Sequence, residues 1–283
     1  MVIDLIRKQD AYVQILDAIK VGKRLPGLGL PRSARLPVAV SLVQDLNVPV
    51  LLLTDRSDRA LTMLDELNFW APDLEKKLFP EPNPLFYEQA SWGSVTRRER
   101  LDALTSLAKY HFPGSRKPSS PVIVVTSLRA VMTRTLPRRE FLSACKTIKV
   151  GQHATPEALQ RSWVEMGYES ADTVLEHGHF SRRGGILDVW TPAEPFPVRI
   201  EFFGDEIDTM RQFDPGSQRT IHPIDELLIT PAREFISGRA GSTDNQEQEL
   251  DEFSIPLIHP MPATILDYLP HQTLVMVDNL SNL

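Results

Sequence analysis

The sequence contains a single cysteine, and this excludes two kinds of site. Cys145 is alone among 283 residues, so neither a disulfide within the chain nor a zinc site built from several cysteines is available. His177 and His179 lie close together but have no third ligand nearby, so we expect no metal and no cofactor. Cys145 has no suitably spaced base and is interpreted as a small buried hydrophobic residue.

The sequence also lacks long apolar runs and an excess of basic charge. No run reaches the roughly 18 residues that span a membrane, and residues 1–10 lack the apolar centre of a signal peptide. We therefore expect a cytoplasmic protein with no membrane partner. The formal net charge of −6 argues against a dedicated nucleic-acid-binding domain, which usually has a basic surface.

Three short apolar runs indicate one parallel sheet. Val48–Leu53, Val122–Val125 and Thr273–Asp278 are typical of strands that are buried on both faces, and helical spacing lies between them. We predict an open α/β domain over residues 1–142. Residues 233–283 are predicted to be a linker that ends in the last of these runs, which rejoins the sheet of that domain.

Residues 143–232 show alternating apolar and polar residues rather than wholly apolar runs, which predicts a smaller, inserted α+β domain. Thr155, Pro156 and Glu157 are typical of a helix start, and Gly167 ends that helix. The polar stretch Gly238–Glu252 is interpreted as a flexible linker. Thr147–Val150 is predicted to be a short strand. Further along, four or five antiparallel strands are predicted, with candidates at Thr173–His177, Gly185–Trp190, Val198–Phe203, Glu206–Phe213 and Ile224–Ile229.

Three motifs in this second region occur in a fixed order: His179–Trp190, Pro197–Ile207 and Phe213–Thr220. Together they resemble the UvrA-binding domain shared by UvrB and the bacterial transcription-repair coupling factors (Mfd). The Ser217–Arg219 ending is more similar to the coupling factors. The resemblance covers residues 1–235, resumes at Leu266–Pro270, and implies their N-terminal UvrB-like module, that is, domains 1a, 2 and part of 1b.

The resemblance implies a P-loop NTPase-like, helicase-type sheet for the first domain, with a degenerate nucleotide site. The stretch that corresponds to the P-loop begins at Gly29, and Pro31 removes one N–H donor there. Intact sites have a second glycine, a lysine and a hydroxyl residue in that loop, and an Asp-Glu pair after a later strand. Here those positions are Ala34, Arg35, Leu36, Asp278 and Asn279.

This pattern predicts no catalytic residues, because Leu36 cannot bind Mg²⁺ and Asn279 cannot orient an attacking water as a carboxylate would. The alternative interpretation is that Gly27 and Gly29 are ordinary turn glycines. A second function stays open at this point, namely an ATP-binding helicase lobe of a UvrB-type DNA repair enzyme.

The resemblance further implies that UvrA is the partner and that Arg183, Arg199, Phe203 and Asp205, with Glu206 adjacent, form the contact surface. Arginine binds carboxylates through two parallel hydrogen bonds, and an exposed aromatic ring can anchor an interface. The alternative is a solvated strand face with internal arginine–carboxylate pairs. We expect other domains of the longer family proteins to supply ATP-driven translocation and the contacts with RNA polymerase and DNA.

Overall fold

The computed structural model describes residues 2–82, 92–112, 118–236, 252–261 and 263–279. The chain divides into two compact units that are each built from separate stretches of sequence. The first unit contains Met1–Glu81, Pro113–Met132 and Leu269–Leu283, and the second contains Pro82–Phe112 and Thr133–Tyr268. No helix among the described residues is both long and apolar enough to cross a membrane.

The regular elements follow in chain order. The helices are α1 Val2–Arg7, α2 Asp10–Lys20, α3 Arg32–Leu46, α4 Ser57–Trp70, α5 Ser94–Ala108, α6 Leu128–Met132, α7 Arg138–Ala144, α8 Pro156–Glu165 and α9 Ile255–Ile258. The strands are β1 Val50–Thr54, β2 Glu75–Phe79, β3 Val122–Ser127, β4 Lys146–Lys149, β5 Glu169–Ser170, β6 His179–Arg183, β7 Ile186–Val189, β8 Val198–Phe203, β9 Glu206–Phe213, β10 Thr220–Pro223, β11 Glu226–Ile229 and β12 Leu274–Val277.

The first unit is built on a parallel sheet with the strand order β12-β1-β3-β2. Val50 is paired with Leu274 on one side and with Ile123 on the other, so the predicted sheet of three apolar runs is confirmed. The fourth strand, β2, was not predicted from the sequence. One face of the sheet packs against α3 and α4 in a core that includes Val40, Val43 and Leu52.

Two helical segments of the first unit have irregular features. The helical stretch near the N-terminus is interrupted, because α1 ends at Arg7 and α2 begins at Asp10. Helix α3 begins at Arg32, so Pro37 lies inside the helix. A proline here removes one helical hydrogen bond, and the burial of both Leu36 and Pro37 offsets that loss.

The second unit is built on a six-stranded sheet with the order β10-β9-β8-β7-β6-β5, in which only β5 and β6 pair in parallel. One face packs on α8 around Trp163, Leu187 and Ile200. As predicted, Thr155 caps α8: its hydroxyl accepts a hydrogen bond from the Ala158 backbone N–H at 3.2 Å. Strands β4 and β11 form a separate antiparallel pair.

A buried ion pair ties two distant stretches of the second unit together. Arg100 of α5 donates from Nε to Glu234 Oε1 at 2.5 Å and from Nη2 to Oε2 at 3.0 Å, and both side chains are fully buried. The Arg100 guanidinium also lies over the Trp92 ring, 4.7 Å from its centroid. Helix α5 therefore packs in the second unit. The domain boundary that was predicted from the sequence, at residue 142, placed it in the first domain.

Other expectations for the second unit were wrong or fall outside the described residues. Thr173–His177 forms no strand, whereas β6, which holds the first motif, and β10 were missed. Most of the predicted linker Gly238–Glu252 lies outside the described residues. Its last residue, Glu252, belongs to a short 3₁₀ helix and is buried.

Candidate functional site

The outer face of the six-stranded sheet holds most of the predicted contact residues. The register aligns Ser181, Asp188, Arg199 and Arg211 in one row across β6 to β9. The next row, two residues further along each strand, contains Arg183, Ile186, Glu201 and Thr209. Side chains two residues apart on a strand point to the same side, so both rows lie on the face opposite the α8 core.

Arg199 is bound within this face rather than free. Its Nε and Nη2 atoms donate to the two carboxylate oxygens of Asp188 at 2.8 and 2.7 Å, and Nη2 also donates to Gln218 Oε1 at 2.9 Å. The guanidinium lies 4.6 Å from the centroid of the Phe213 ring. The hydrogen bond to Asp188 raises the pKa of Arg199 despite partial burial. Internal pairing, the alternative weighed from the sequence, is therefore what the structure shows at Arg199.

Arg183 is exposed at the end of β6 and has a different environment. Its Nη2 donates to the Asp172 carbonyl and to Thr173 Oγ1, both at 3.0 Å. Within the described part of the chain, no carboxylate forms an ion pair with Arg183. Its positive charge is thus held in place by neutral acceptors and stays available to a carboxylate from outside.

Phe203 projects from the turn between β8 and β9. Its side chain is 83 % exposed, whereas the neighbouring Phe202 packs against the core on the other side of the sheet. Gly204 adopts a φ of +61°, a left-handed conformation that favours glycine and makes this tight turn possible. Asp205 and Glu206 are exposed in the same turn, and the Asp205 carbonyl accepts from the Ala154 N–H at 2.8 Å.

Arg183 and Arg199 are not on neighbouring strands, so the close cross-strand pair that their places in successive motifs suggest does not form. Strand β7 lies between β6 and β8, so Arg183 and Arg199 are separated by about 10 Å across the sheet, twice the usual strand spacing. The β6–β7 and β8–β9 turns lie at the same end of the sheet, where the Phe202 N–H donates to the Gly185 carbonyl at 3.0 Å. We call this region the hairpin end; it consists of Arg183, Phe203, Asp205 and Glu206.

The residues that the resemblance aligns with a P-loop are split between a loop and a helix. Gly29 lies in the loop before α3 with a φ of +63°, and a Cβ added there would meet nothing within 4 Å. Ala34 is in the first turn of α3, where its N–H donates to the Pro31 carbonyl at 2.9 Å. Leu36 is 2 % exposed and belongs to the core below the sheet. Leu36, which the resemblance aligns with a Mg²⁺-binding hydroxyl residue, is thus a core side chain.

Arg35 and Asp278, which the resemblance assigns to the two halves of a degenerate nucleotide site, are in direct contact. Arg35 Nη1 donates to the Asp278 carbonyl at 2.7 Å and to Oδ1 at 3.1 Å. Arg59 Nε donates to Asp278 Oδ2 at 3.0 Å. Burial acts to raise the pKa of Asp278, but the hydrogen bonds and charges of Arg59 and Arg35 outweigh it and lower that pKa. Asn279, the next residue, is half-buried.

Arg59 also belongs to this cluster, although the sequence did not predict it. Its Nη1 also pairs with Glu66 Oε1 at 3.2 Å, and its side chain is only 11 % exposed. The available signal was its place in the first turn of α4, just after the carboxyl end of β1. The carboxyl ends of parallel strands lie at the same edge of a sheet. Arg59, which follows β1, is therefore close to Asp278, which follows the neighbouring strand β12.

The described residues contain no group of three histidine, cysteine or acidic side chains placed to hold a metal ion. His177 instead stacks on Trp190, with 4.1 Å between ring centroids, and burial lowers its pKa to about 4. Cys145 is half-buried, and desolvation raises the pKa of its thiol to about 12, so it is not a reactive thiolate at neutral pH.

Comparison with known proteins agrees with the motifs. Residues 147–235 match the family described as the UvrB interaction domain. The chain is 33 % identical over 233 residues to the transcription-repair-coupling factor of Myxococcus xanthus, covering 80 % of this chain and 19 % of that protein. It is 29 % identical over 318 residues to the factor of Bacillus subtilis, covering 98 % and 26 % respectively.

A weaker similarity links the chain to UvrB. The UvrABC system protein B of Gloeothece citriformis is 25 % identical over 232 residues, which cover 80 % of this chain and 35 % of that protein. The chain thus spans between about a fifth and a third of the length of these relatives. It is a relative of the transcription-repair-coupling factors and, more distantly, of UvrB, with a UvrB interaction domain at residues 147–235.

Proposed function

We propose that the chain is a protein-docking module of DNA repair that binds UvrA through the hairpin end. The observation that supports this most strongly is Phe203, an aromatic side chain that is 83 % exposed inside the region similar to the UvrB interaction domain. Exposing a large ring to water is unfavourable for an isolated domain, and buried aromatic rings are common energetic centres of interfaces.

The charges around Phe203 indicate what the partner surface offers. Arg183 has its guanidinium oriented by two neutral acceptors, so it can bind a partner carboxylate without first breaking an ion pair. Asp205 and Glu206 add exposed negative charge on the other side of the ring. A complementary surface has an apolar pocket with an acidic and a basic group beside it.

Arg199 has a different role in this proposal. Its guanidinium donates hydrogen bonds to Asp188 and Gln218, and its side chain is 17 % exposed. We assign it as a positioning residue that fixes the loop after β9 and the charge pattern of the outer face, while Arg183 and Phe203 make the direct contacts.

For the first unit we propose a closed, inactive nucleotide site. Arg35 and Arg59 neutralise Asp278, so groups that would bind phosphate and Mg²⁺ in an active site bind each other instead. Leu36 offers no ligand to a metal. This geometry disfavours the alternative of an ATP-binding helicase lobe, and we assign ATP-driven translocation and the contacts with RNA polymerase and DNA to other domains of the longer relatives.

The docking proposal is tested by titrating purified UvrA with the chain and measuring heat or anisotropy. We expect saturable binding that UvrB displaces, because UvrB is similar to the chain in the same region. Absence of binding under conditions where UvrA binds UvrB contradicts the proposal. Binding that UvrB leaves unchanged contradicts the assignment of the surface.

A further inference from the structure

The hairpin end continues onto a third stretch of chain, residues 151–154, which lie between β4 and α8. This stretch runs antiparallel to the start of β9, on the side of β9 that faces away from β8. Three backbone hydrogen bonds join the two: Gly151 N–H to the Ile207 carbonyl at 2.8 Å, Ile207 N–H to the Gln152 carbonyl at 3.0 Å, and Ala154 N–H to the Asp205 carbonyl at 2.8 Å. The β8–β9 hairpin is therefore extended by a third paired segment.

This pairing places His153 in one row with Phe203 and Glu206. Glu206 is paired with Phe203 on one side and with His153 on the other. Ile207, the next residue of β9, packs into the α8 core, so Glu206 points to the outer face of the sheet. Side chains directly opposite each other on antiparallel strands share a face, with about 5 Å between their Cβ atoms. His153 thus lies on the outer face, about 10 Å from Phe203.

The side chains of this row are not bound within the chain. His153 and Glu206 are both exposed, and neither side chain makes a hydrogen bond or an ion pair with any residue that the structure describes. The middle of the same face differs, because Arg199 is bound to Asp188 there. A partner can contact the row of His153 without first breaking an internal pair, which lowers the cost of binding.

The backbone around His153 is held on both sides. Before it, the Lys149 N–H donates to Gln152 Oε1 at 3.1 Å and closes a turn. After it, Thr155 caps α8, which packs in the core of the second unit. A side chain on a backbone that is fixed in advance loses less conformational freedom when a partner binds. The segment therefore presents His153 in a defined position beside the hairpin end.

We propose that His153 is a direct contact residue of the surface that docks UvrA, so that this surface is three strands wide. The inference rests on the proposed function and adds a residue that precedes the three sequence motifs, which begin at His179. An imidazole offers both a donor and an acceptor nitrogen. The partner surface therefore has a polar group opposite His153, beyond the pocket that receives Phe203.

The first measurement is hydrogen exchange at the imidazole C2 position, followed by mass spectrometry at constant pH with and without saturating UvrA. The matched control is His222, an exposed histidine of β10 that is paired with Gln212 on the same edge of β9. His222 lies about 20 Å from Glu206 along that strand. We expect UvrA to slow exchange at His153 and to leave the rate at His222 unchanged.

The second measurement is the UvrA affinity of two variants. His153→Ala should weaken binding about fivefold or more, because it removes a side chain that the partner covers. His222→Ala should bind UvrA as the parent does. The urea unfolding curves of both variants should match that of the parent, since both histidines are exposed.

The outcomes separate this inference from the docking proposal. If Phe203→Ala weakens UvrA binding while a folded His153→Ala variant binds as the parent does, His153 is no contact and docking through the hairpin end stands. Unchanged exchange at His153 in the complex, or equal effects at His153 and His222, also overturns the inference. If the parent chain does not bind UvrA at all, the docking proposal fails and the role of His153 fails with it.

Discussion

At the scale of single residues, the outer face of the six-stranded sheet holds its charged and aromatic side chains in different ways. Phe203 is exposed as expected, because of two adjacent phenylalanines in a strand one must face away from the core. Arg183 and Arg199 look alike in the sequence, yet one is held by neutral acceptors and the other by a carboxylate. The pairing register of β6, β7 and β8 places Asp188 beside Arg199 but not beside Arg183. A sequence motif does not show which residues face each other across strands.

This difference changes what we expect from Arg199→Ala. From the sequence, Arg199 was expected to contact UvrA directly. In the structure, removing it leaves the Asp188 carboxylate, 5 % exposed, without its arginine partner. We expect a loss of about 1–3 kcal/mol in the free energy of unfolding, measured by urea denaturation.

The matched control for Arg199→Ala is Arg211→Ala on the adjacent strand. Arg211 pairs with Glu201 in a more exposed pair, with side chains 28 % and 31 % exposed, so its removal should cost less than about 1 kcal/mol. Equal stability of the two variants would show that the Arg199–Asp188 pair does not hold the face together.

At the scale of elements, apolar runs and cap signals were predictable, while charged strands were not. β1, β3 and β12 are apolar and were found, but β2 begins with Glu75-Lys76-Lys77 and pairs only at the edge of the sheet. Similarly, Arg182 and Arg183 obscured β6. Edge strands and partner-binding strands tolerate charge on their free side, so hydrophobic alternation alone does not reveal them.

The cap of α8 gives a prediction at this scale. Thr155→Ala removes the acceptor for the Ala158 N–H and should lower the free energy of unfolding of the second unit by about 1 kcal/mol. Thr155→Ser retains a hydroxyl at the same position and should preserve most of the stability. Thermal or urea unfolding distinguishes them, and equal losses in both variants would argue that the methyl group matters rather than the cap.

At the scale of the whole molecule, the return of the last strand to the first sheet was predictable. Strands that are buried on both faces of a parallel sheet are wholly apolar, and the last run has that pattern although it is distant along the chain. The assignment of α5 to the second unit was not predictable. It depends on the buried contact between Arg100 and Glu234, 134 residues apart. Nothing local to either residue shows that the two charges meet.

The ion pair between Arg100 and Glu234 therefore deserves a direct test. Glu234→Gln keeps the volume but removes a negative charge from beside the fully buried Arg100 guanidinium, so we expect a loss of about 3 kcal/mol in the free energy of unfolding. Glu226→Gln breaks an exposed pair with Lys149 and should change little. A small effect at Glu234 would mean that the packing of α5 does not depend on this pair.

The closed nucleotide site also makes a whole-molecule prediction. At about 1 mM ATP with Mg²⁺ we expect no saturable binding by calorimetry, since an affinity weaker than that corresponds to less than about 4 kcal/mol of binding free energy. Because Arg35 and Asp278 are paired, hydrolysis should be absent as well. Saturable ATP binding that disappears in Arg35→Ala would contradict the closed site.

The most direct test of the central claim is the affinity of UvrA for the variant Arg183→Ala, Phe203→Ala. Each change removes an exposed side chain with few internal contacts, so the unfolding curve should match that of the parent chain. We expect each truncation to weaken binding by about 1–3 kcal/mol, as for central interface residues. The control is Phe69→Ala, which removes an aromatic ring of similar exposure, 78 %, from the first unit. Unchanged UvrA affinity in the folded double variant, or an equal loss in Phe69→Ala, would contradict docking through the hairpin end.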